Sequence, residues 1–368
     1  MRKYIYQQPN WPQFFWNNEA LLFLLGKVRN MQGKLSGKME TLGFTLRSEA
    51  QLETVSLDVL KSTEIEGKLL HPDQVRSSVA RHLGMEIVGS VASDRDVDGV
   101  VEMMLSATQQ YNQPLTKERL FKWHSAIFPS GQSGMYSIIT GNWRNDSTGP
   151  MQVVSGAMGK EKVHFQAPDA STLPLEMEQF LDWFNHEESL DPVLKAGLAH
   201  LWFVTLHPFD DGNGRIARAL TDMLLARADE SPQRFYSMSA QIRMERKEYY
   251  QQLEKTQHGN LDVTTWLLWF LNCLLNALIA TDQTLAKVLD KSHFWEIHAH
   301  TSLNDRQKRL LNKLLDGFDG KLTSSKWAKI AKCSPDTALR DIQDLIDKGI
   351  LHKESAGGRS TNYELEKQ

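Results

Sequence analysis

Residues 207–218, with the sequence HPFDDGNGRIAR, combine a glycine turn with paired cations in a pattern that could hold a phosphate group. Gly212 and Gly214 let the backbone approach an anion closely, and a helix starting here would point its unbonded N–H groups at that anion. Arg215 and Arg218 stand three residues apart, so they share one side of such a helix and add permanently charged donors. The segment therefore indicates an anion site.

Two further side chains of this segment could act on a bound phosphate. His207 has an ordinary pKa of about 6.5, so its neutral imidazole could accept a proton from an attacking hydroxyl. The Asp211 carboxylate suits Mg²⁺, which prefers oxygen ligands and bridges to substrate phosphates. Alone, a histidine at a helix end, a glycine turn or a pair of arginines usually has a structural explanation. Their combination within one short segment favours catalysis.

The elements that must position these residues are helices. Pro208 and the two glycines disfavour helix between 207 and 214, so one helix should end near His207 and another begin near Gly214. The first begins with Asp191 and Pro192, an N-cap followed by proline at the first helical position. In the second, the apolar residues Ile216, Leu220, Met223 and Leu224 form a stripe opposite Arg215, Arg218 and Asp222. Helical periodicity also predicts helices at 46–65, 97–111, 117–128, 173–186 and 263–282.

One region does not follow helical periodicity. Residues 152–154 and 162–165 resemble two short strands joined by a turn that contains glycine. We interpret it as a β-hairpin on a helical body, with an ordinary surface loop as the alternative.

Composition sets the broader class. The chain has 368 residues, of which 41% are apolar and 24% charged, and its formal net charge is −3. This length suits two or three domains, and the balance of charge gives no overall field that attracts nucleic acid or an anionic membrane. The two cysteines cannot build a disulfide framework, which favours a reducing compartment. No secretory signal is visible, and polar residues interrupt the longest apolar stretch, 264–280. We expect a cytoplasmic protein without a membrane partner.

The motif resembles that of a known family. HPFDDGNGRIAR agrees with all nine specified positions of the Fic family motif, HPFx(D/E)GNGRxxR, and the resemblance extends roughly from Leu52 to Leu274. It implies a mainly α fold with a Fic-type helical core, on which the hairpin forms a target-docking flap. Fic proteins typically move AMP from ATP onto a hydroxyl side chain of a protein and release pyrophosphate. The resemblance therefore implies a protein adenylyltransferase, a nucleotidyltransferase that uses ATP and Mg²⁺.

Site roles follow from the same resemblance. His207 would be the general base on a Ser, Thr or Tyr hydroxyl, and Asp211 would hold Mg²⁺ against the α- and β-phosphates. The phosphates would be bound by Gly212, Asn213, Gly214 and Arg215, with Arg218 on the γ-phosphate. Tyr249-Tyr250 is a plausible match to a tyrosine pair on the adenine side, which makes Tyr250 a candidate nucleotide contact; core packing is the alternative reading.

A second motif resembles the inhibitory sequence of the family, (S/T)xxxE(G/N). Ser62, Glu66 and Gly67 occupy its specified positions at the end of a predicted helix. A carboxylate in the last helical turn is mildly disfavoured by the helix dipole, and a cationic partner would offset this. By resemblance that partner is Arg218. Glu66 would then prevent the γ-phosphate from binding to Arg218.

The C-terminal segment predicts a separate unit. Helices at 305–315, 324–331 and 335–348, followed by strands at 350–352 and 362–365 around 356–359, resemble a winged helix-turn-helix domain. Thr337 and Arg340 near the start of its second helix, with Arg359 in the wing, could contact DNA. That helix also carries four aspartates, so a protein-docking or dimer surface is an equal reading.

The whole chain then divides into an N-terminal helical region (1–95) with the inhibitory motif, a Fic core (96–285), and a linker helix with the winged domain (286–368). The favoured function is an autoinhibited adenylyltransferase that modifies a target protein or itself and forms a homodimer. The alternatives are a Fic enzyme that uses another phosphate-linked donor or removes AMP, and a DNA-binding regulator with a nucleotide-sensing Fic domain.

Overall fold

The computed structural model describes residues 3–147, 149–156, 160, 162–315, 317–318, 320–354 and 361–366; for 282–284, 286–289 and 292 it describes the backbone alone. The fold is mainly helical, with 62% of residues in helices, as the sequence predicts. The described chain forms two compact units, Met1–Asp282 and Gln283–Gln368. The three-domain division at 95/96 and 285/286 stays a prediction.

The helices of the first unit are α1 (Asn18–Thr41), α2 (Phe44–Ile65), α3 (Pro72–His82), α4 (Arg95–Gln109), α5 (Lys117–Ile127), α6 (Leu173–His186), α7 (Pro192–Leu206), α8 (Asn213–Ala228), α9 (Met238–Met244) and α10 (Arg246–Gln257). Helix α11 (Thr264–Ile297) begins in this unit. Between α5 and α6 lie β1 (Gln132–Ser133), β2 (Tyr136–Ser137), β3 (Gln152–Ser155) and β4 (Lys162–Gln166). The predicted helices are thus present with ends that differ by one or two residues, except that α11 continues fifteen residues past its predicted end at 282.

Helices α7 and α8 form the centre of the first unit. Every residue from Val193 to Leu206 is buried, because α7 is apolar on all its faces. Asp191 caps α7 by accepting a hydrogen bond from the Val193 N–H, as predicted. Helix α8 is also buried along almost its whole length, and it packs against α7, α4 and α2. The loop that joins α7 to α8 is therefore held on a rigid base.

The predicted hairpin is confirmed, and the alternative of a surface loop is wrong. Strands β3 and β4 pair antiparallel, from Gln152 opposite Gln166 to Ser155 opposite Lys162. The register shifts between Val153 and Val154, which leaves His164 as an extra residue in β4. On the inner face of the hairpin, Phe165 packs against Tyr4 with ring centroids 5.1 Å apart. We call this hairpin the flap.

The segment Thr264–Thr281 of α11 is long and apolar enough to cross a membrane, but 56% of it is buried inside the protein. A core helix of a folded domain meets the same criterion, so this one segment is weak support for a membrane span.

The second unit contains α12 (Asp305–Leu315), α13 (Ser324–Ala331), α14 (Pro335–Asp347), β5 (Leu351–Lys353) and β6 (Tyr363–Leu365). These elements lie within one or two residues of the predicted positions, and the Ser334 side chain caps α14 by accepting a hydrogen bond from the Thr337 N–H. Trp327, Leu310 and Ile342 are fully buried in the core of this unit. Residues 356–359, with Arg359, lie outside the described residues, and a winged-helix domain stays a prediction.

Candidate active site

The loop between α7 and α8 is shaped by its own backbone and by one amide side chain. His207 ends α7 in the left-handed conformation, with φ 50° and ψ 56°. Gly212 has φ 82°, and a Cβ atom there would lie 2.8 Å from both Ile127 and Phe128, so glycine is required. The Asn213 side chain accepts from the Phe209 N–H (3.0 Å) and donates to the Phe209 carbonyl (2.7 Å). The Asn213 side chain is thus engaged within the loop, and the predicted phosphate contact would be made by its backbone N–H.

The imidazole of His207 has a defined orientation. Its Nδ1 lies 3.2 Å from the Val204 carbonyl, which can only accept, so Nδ1 carries the proton and Nε2 presents a lone pair. The ring is half-buried, and burial lowers the pKa of His207 below its ordinary value. A neutral imidazole with a free Nε2 lone pair is a general base.

Arg144, which no local sequence pattern indicates as a site residue, links the His207 backbone to the chain just beyond the flap. This side chain is buried, with 3% exposure. Its Nε donates to the His207 carbonyl (2.8 Å), and its Nη2 donates to the Pro168 carbonyl (2.5 Å) just beyond the flap. Asp146 neutralises it at 2.7 Å. Arg144 thus fixes the unusual backbone of His207.

A second supporting residue that the sequence analysis missed is His124 in α5. Its Nδ1 accepts from the Gly141 N–H (3.2 Å), so the neutral ring carries its proton on Nε2 and donates to the Asp211 carbonyl (3.1 Å). The ring stacks on Phe209 with centroids 4.2 Å apart. Burial lowers the pKa of His124 to about 4, which keeps the ring neutral. His124 therefore supports the loop through its contacts with the Asp211 carbonyl and the Phe209 ring.

Asp211 offers one carboxylate at the mouth of the loop. Its Oδ1 accepts from the Gly212 N–H (2.6 Å), its Oδ2 accepts from Ser133, and the Arg215 guanidinium lies 3.9 Å away. The side chain is 43% exposed. Among the described residues, no group of three or more His, Cys, Asp or Glu side chains could hold a metal ion. Asp211 therefore fits a metal as a single ligand, with the other positions left to phosphates and water.

The polar side of α8 packs against other parts of the protein instead of facing solvent. Arg215 is 5% exposed and stacks its guanidinium over the Phe128 ring at 4.7 Å. Asp222 is paired with Arg234 at 3.0 Å, and both are buried. Burial and the neighbouring Asp58 of α2 raise the pKa of Asp222 well above its ordinary value. The arginines predicted to lie opposite the apolar stripe are therefore not solvated.

Arg218 is bound by the end of helix α2. Its Nη2 donates to the Glu66 carboxylate (2.7 Å) and to the Ser62 carbonyl (2.8 Å), and its Nε donates to the Ser62 hydroxyl (2.8 Å). Burial by itself lowers the pKa of Arg218, but Glu66 together with the neighbouring Tyr249 and Tyr250 outweighs it, and the net shift is upward. Its Nη1 is buried without a partner among the described residues. Two of the three fixed positions of the second motif, Ser62 and Glu66, thus contact Arg218, and the third, Gly67, follows the end of α2 with φ 82°.

The Glu66 carboxylate also covers the start of α8. A Cβ atom on Gly214 would lie 2.2 Å from Glu66 Oε1, so the carboxylate rests directly on this glycine. Unbonded N–H groups and the positive end of the helix dipole make this position favourable for an anion. Glu66 therefore occupies the position that the sequence assigns to phosphate.

The two neighbouring tyrosines of α10 lie in different environments. Tyr249 is 2% exposed, and its hydroxyl lies 2.8 Å from His200 Nε2, so it belongs to the core. Tyr250 is half-buried under the Arg246 guanidinium, which lies 5.2 Å from its ring centre. Burial and the nearby Glu66 raise the pKa of Tyr250. Tyr250 lies beside the Glu66–Arg218 pair, where a nucleotide contact is predicted.

Comparisons with known proteins agree with this geometry. The sequence profile of the Fic/DOC family matches residues 114–225, and that of a domain of unknown function, DUF4172, matches residues 4–85. The protein named protein adenylyltransferase fic-1 from Caenorhabditis briggsae is 31% identical over 232 residues, covering 59% of this chain and 43% of that protein. The protein of the same name from Caenorhabditis elegans is 30% identical over 183 residues, covering 49% of this chain and 33% of that protein.

The chain thus spans less than half the length of these relatives. The crystal structure of a Fic family protein from Desulfovibrio desulfuricans G20 has the same fold, with a TM-score of 0.53, 19% identity and coverage of 95% of this chain and 97% of that one. From the motif, the family profile and the fold together, the chain contains a Fic domain.

Proposed function

We propose that this protein is an autoinhibited protein adenylyltransferase that moves AMP from ATP to a Ser, Thr or Tyr hydroxyl of a target protein. The observation that carries the proposal is the Glu66 carboxylate over Gly214, paired with Arg218 at 2.7 Å. A carboxylate held at a helix start by an arginine is a stand-in for a phosphate oxygen. Relatives that are named protein adenylyltransferases support the same chemistry.

In the reaction, the triphosphate of ATP takes the place of the carboxylate. The first N–H groups of α8 and the guanidinium of Arg218 would bind the phosphate oxygens, and Tyr250 would lie beside the base. His207 Nε2 takes the proton of the incoming hydroxyl. The hydroxyl oxygen bonds to the α-phosphorus, the bond from that phosphorus to the β-phosphate oxygen breaks, and pyrophosphate leaves.

A magnesium ion is compatible with this site. The exposed side of the Asp211 carboxylate provides one oxygen ligand next to the phosphate position, and two cations, Arg215 and Arg218, already face that position. When bound, the ion would neutralise charge that develops on the leaving pyrophosphate. Asp211, held by Gly212 and Ser133, would orient it.

Autoinhibition follows from competition for one site. While Glu66 lies on Gly214 and Arg218, the γ-phosphate has neither the cation nor the space, and ATP cannot align its α-phosphate beneath His207. Removal of one partner from a buried ion pair is costly, since the other charge is left alone. After the loss of Glu66, the charge of Arg218 must therefore be met by a nucleotide phosphate, or by water if α2 moves away.

The test is intact mass spectrometry of a Glu66→Gly variant incubated with ATP and Mg²⁺. We expect a mass gain equal to one AMP group on the variant and little or none on the parent. Glu64→Gly is the matched control, because Glu64 lies in the same helical turn but pairs with Lys61 and Arg243. Equal labelling of parent and Glu66→Gly protein would remove the proposed inhibition, and no AMP gain in any variant would remove the proposed transfer.

Other expectations stay sequence-based predictions: a homodimer, a cytoplasmic location, removal of AMP, a different donor, and DNA as a partner of the C-terminal unit. For the last, Arg340 on α14 is exposed, whereas Asp341 is buried and paired with Arg306 at 2.8 Å. Salt-dependent DNA binding would test it.

A further inference from the structure

A groove lined with aromatic side chains lies between the N-terminal segment, α6 and α7 of the first unit, and its volume is 530 Å³. Phe14 and Trp16 line it from the N-terminal segment, Trp183 from α6 and Trp202 from α7. These residues are not part of the proposed active site, and ligand-binding clefts have volumes of about 300–1,000 Å³. This surface, the aromatic groove, is therefore large enough to hold a ligand.

The rings of the aromatic groove form one continuous wall. Trp202 is 2% exposed, and its ring centre lies 5.2 Å from that of Trp183 and 5.9 Å from that of Phe14. The ring planes of these two pairs are inclined by 49° and 79°, so the wall is ridged rather than flat. A cage for a single cation needs ring faces around an empty centre, whereas these rings contact one another. The wall instead suits an extended ligand with rigid apolar rings.

Trp183 adds a hydrogen-bond donor to this wall. Its indole N–H has no partner among the described residues, whereas that of Trp16 donates to Asn18 (2.8 Å). Trp183 is half-buried, so water reaches this N–H. A ligand that covers Trp183 must therefore bring an acceptor in place of water, such as a peptide carbonyl.

The rim of the aromatic groove is acidic. Residues 173–191 include six Asp or Glu residues and no Lys or Arg, and two of these acids, Asp182 and Glu187, line the groove. Of the basic side chains nearby, Lys195 is 6% exposed and donates to the Glu187 carbonyl, and His186 pairs with Asp182 at 2.9 Å. The rim therefore keeps a net negative charge, which favours a cationic partner.

We propose that the aromatic groove binds a segment of a partner protein that is rich in proline and arginine and adopts the polyproline II conformation. This helix has three residues per turn and no internal hydrogen bonds, so its carbonyls remain free to accept from Trp183. Its proline rings pack against aromatic walls with little loss of entropy, because the conformation is already formed. Arginines at every third position share one edge of the helix and can pair with Asp182 and Glu187.

An amphipathic helix is a poorer fit to the same surface. Its carbonyls are bonded within the helix, so it would cover the Trp183 N–H without providing an acceptor. The polyproline II segment meets both the rings and the donor. This inference uses none of the residues assigned to AMP transfer, so it goes beyond the proposed function and stands or fails separately.

The experiment is calorimetric titration of the full chain with three synthetic peptides of equal length, built from the repeats Pro-Pro-Arg, Pro-Pro-Glu and Ala-Ala-Arg. We expect saturable binding of the Pro-Pro-Arg peptide, with an affinity about tenfold or more above that of either other peptide. The Pro-Pro-Glu peptide keeps the conformation but is repelled by the acidic rim, and the Ala-Ala-Arg peptide keeps the charge but lacks the proline rings. Added salt should weaken binding of the Pro-Pro-Arg peptide.

Substitutions in the aromatic groove identify the binding site. Trp183→Ala should lower the affinity for the Pro-Pro-Arg peptide by about tenfold or more, as for a tryptophan at the centre of an interface. Trp183→Phe keeps an aromatic ring but removes the N–H, and should lower this affinity by about threefold to tenfold. Phe23→Ala is the matched control, because Phe23 is an aromatic residue of α1 with 74% exposure outside the groove. Thermal unfolding of each variant checks that it is folded.

The possible results separate the occupants of the groove. Equal affinity for all three peptides would overturn the proposal, because neither proline nor arginine would then be recognised. Unchanged binding in both Trp183 variants would also overturn it, because the peptide would then bind elsewhere. Absence of binding would overturn it outright, and a changed molecular mass of Trp183→Ala in solution would then assign the groove to a second copy of this chain. Each readout is binding, so failure of the proposed AMP transfer would leave the result unaffected.

Discussion

Replacing Glu66 by glutamine should separate charge from shape in the inhibitory contact. The Glu66–Arg218 pair is 2.7 Å long, with Arg218 1% exposed and Glu66 32% exposed. With charge centres about 4 Å apart and an effective dielectric constant of about 20, the attraction is roughly 4 kcal/mol. Because a third of the carboxylate meets solvent, we reduce this to about 2 kcal/mol. Glutamine has nearly the same volume as glutamate, so the substitution should remove this electrostatic energy with little change in packing.

Two opposite shifts are then expected from Glu66→Gln. Without nucleotide, Arg218 is left buried and unpaired, so the melting temperature should fall by about 4 °C for a unit of this size. With ATP, the γ-phosphate displaces a neutral amide from Arg218 instead of a paired carboxylate, and affinity should rise by a factor of roughly 30, the equivalent of about 2 kcal/mol. ADP, which lacks the γ-phosphate, should gain much less.

The assay is thermal unfolding and calorimetric titration of the parent, Glu66→Gln and the control Glu64→Gln, each with ATP, ADP or neither. The reasoning fails if Glu66→Gln gains as much affinity for ADP as for ATP, because the γ-phosphate would then not be the competing group. It also fails if both carboxamide variants behave alike, since of these two glutamates Glu66 pairs with Arg218 and Glu64 pairs with Lys61 and Arg243.

Four further outcomes are expected. In a Glu66→Gly background, His207→Ala should abolish transfer of AMP to hydroxyls while ATP still binds, as judged by peptide mapping and titration. Because burial lowers the pKa of His207, the base stays neutral on mild acidification, and the rate of this transfer should begin to fall only below about pH 6.5. Gly214→Ala in that background should weaken ATP binding at least tenfold by calorimetry, because its Cβ would enter the phosphate position. Arg144→Lys should lower kcat with little change in the KM for ATP, since Arg144 holds the His207 carbonyl and not the nucleotide.

Local patterns were sufficient to predict the elements around the site. Pro208 and Gly212 interrupt helical geometry, and α7 and α8 do end and begin on either side of them. Two strand-like segments joined by a turn with glycine predict the hairpin of the flap, and its pairing is confirmed. In each case the signal lies within a few residues of the feature, where backbone restrictions act directly.

The supports of the site could not be predicted in the same way. Arg144 contacts a carbonyl 63 positions away, and His124 contacts one 87 positions away. No local periodicity encodes such contacts, because they depend on how finished helices pack. The burial of Arg218 had the same cause: helix periodicity places it opposite an apolar stripe, and only the packed α2 closes over it.

The contacts of Ser62 change what release of inhibition must involve. Ser62 holds Arg218 through both its hydroxyl and its carbonyl, so two of the three bonds from α2 to this arginine do not involve Glu66. Departure of the Glu66 side chain alone would leave Arg218 in place, with Nη1 still free for a phosphate. A movement of the whole helix would instead remove these two bonds and loosen the clamp. Activation that keeps α2 docked and turns only the Glu66 side chain away therefore gives the better ATP site, and Ser62→Ala in a Glu66→Gly background should weaken ATP binding rather than strengthen it.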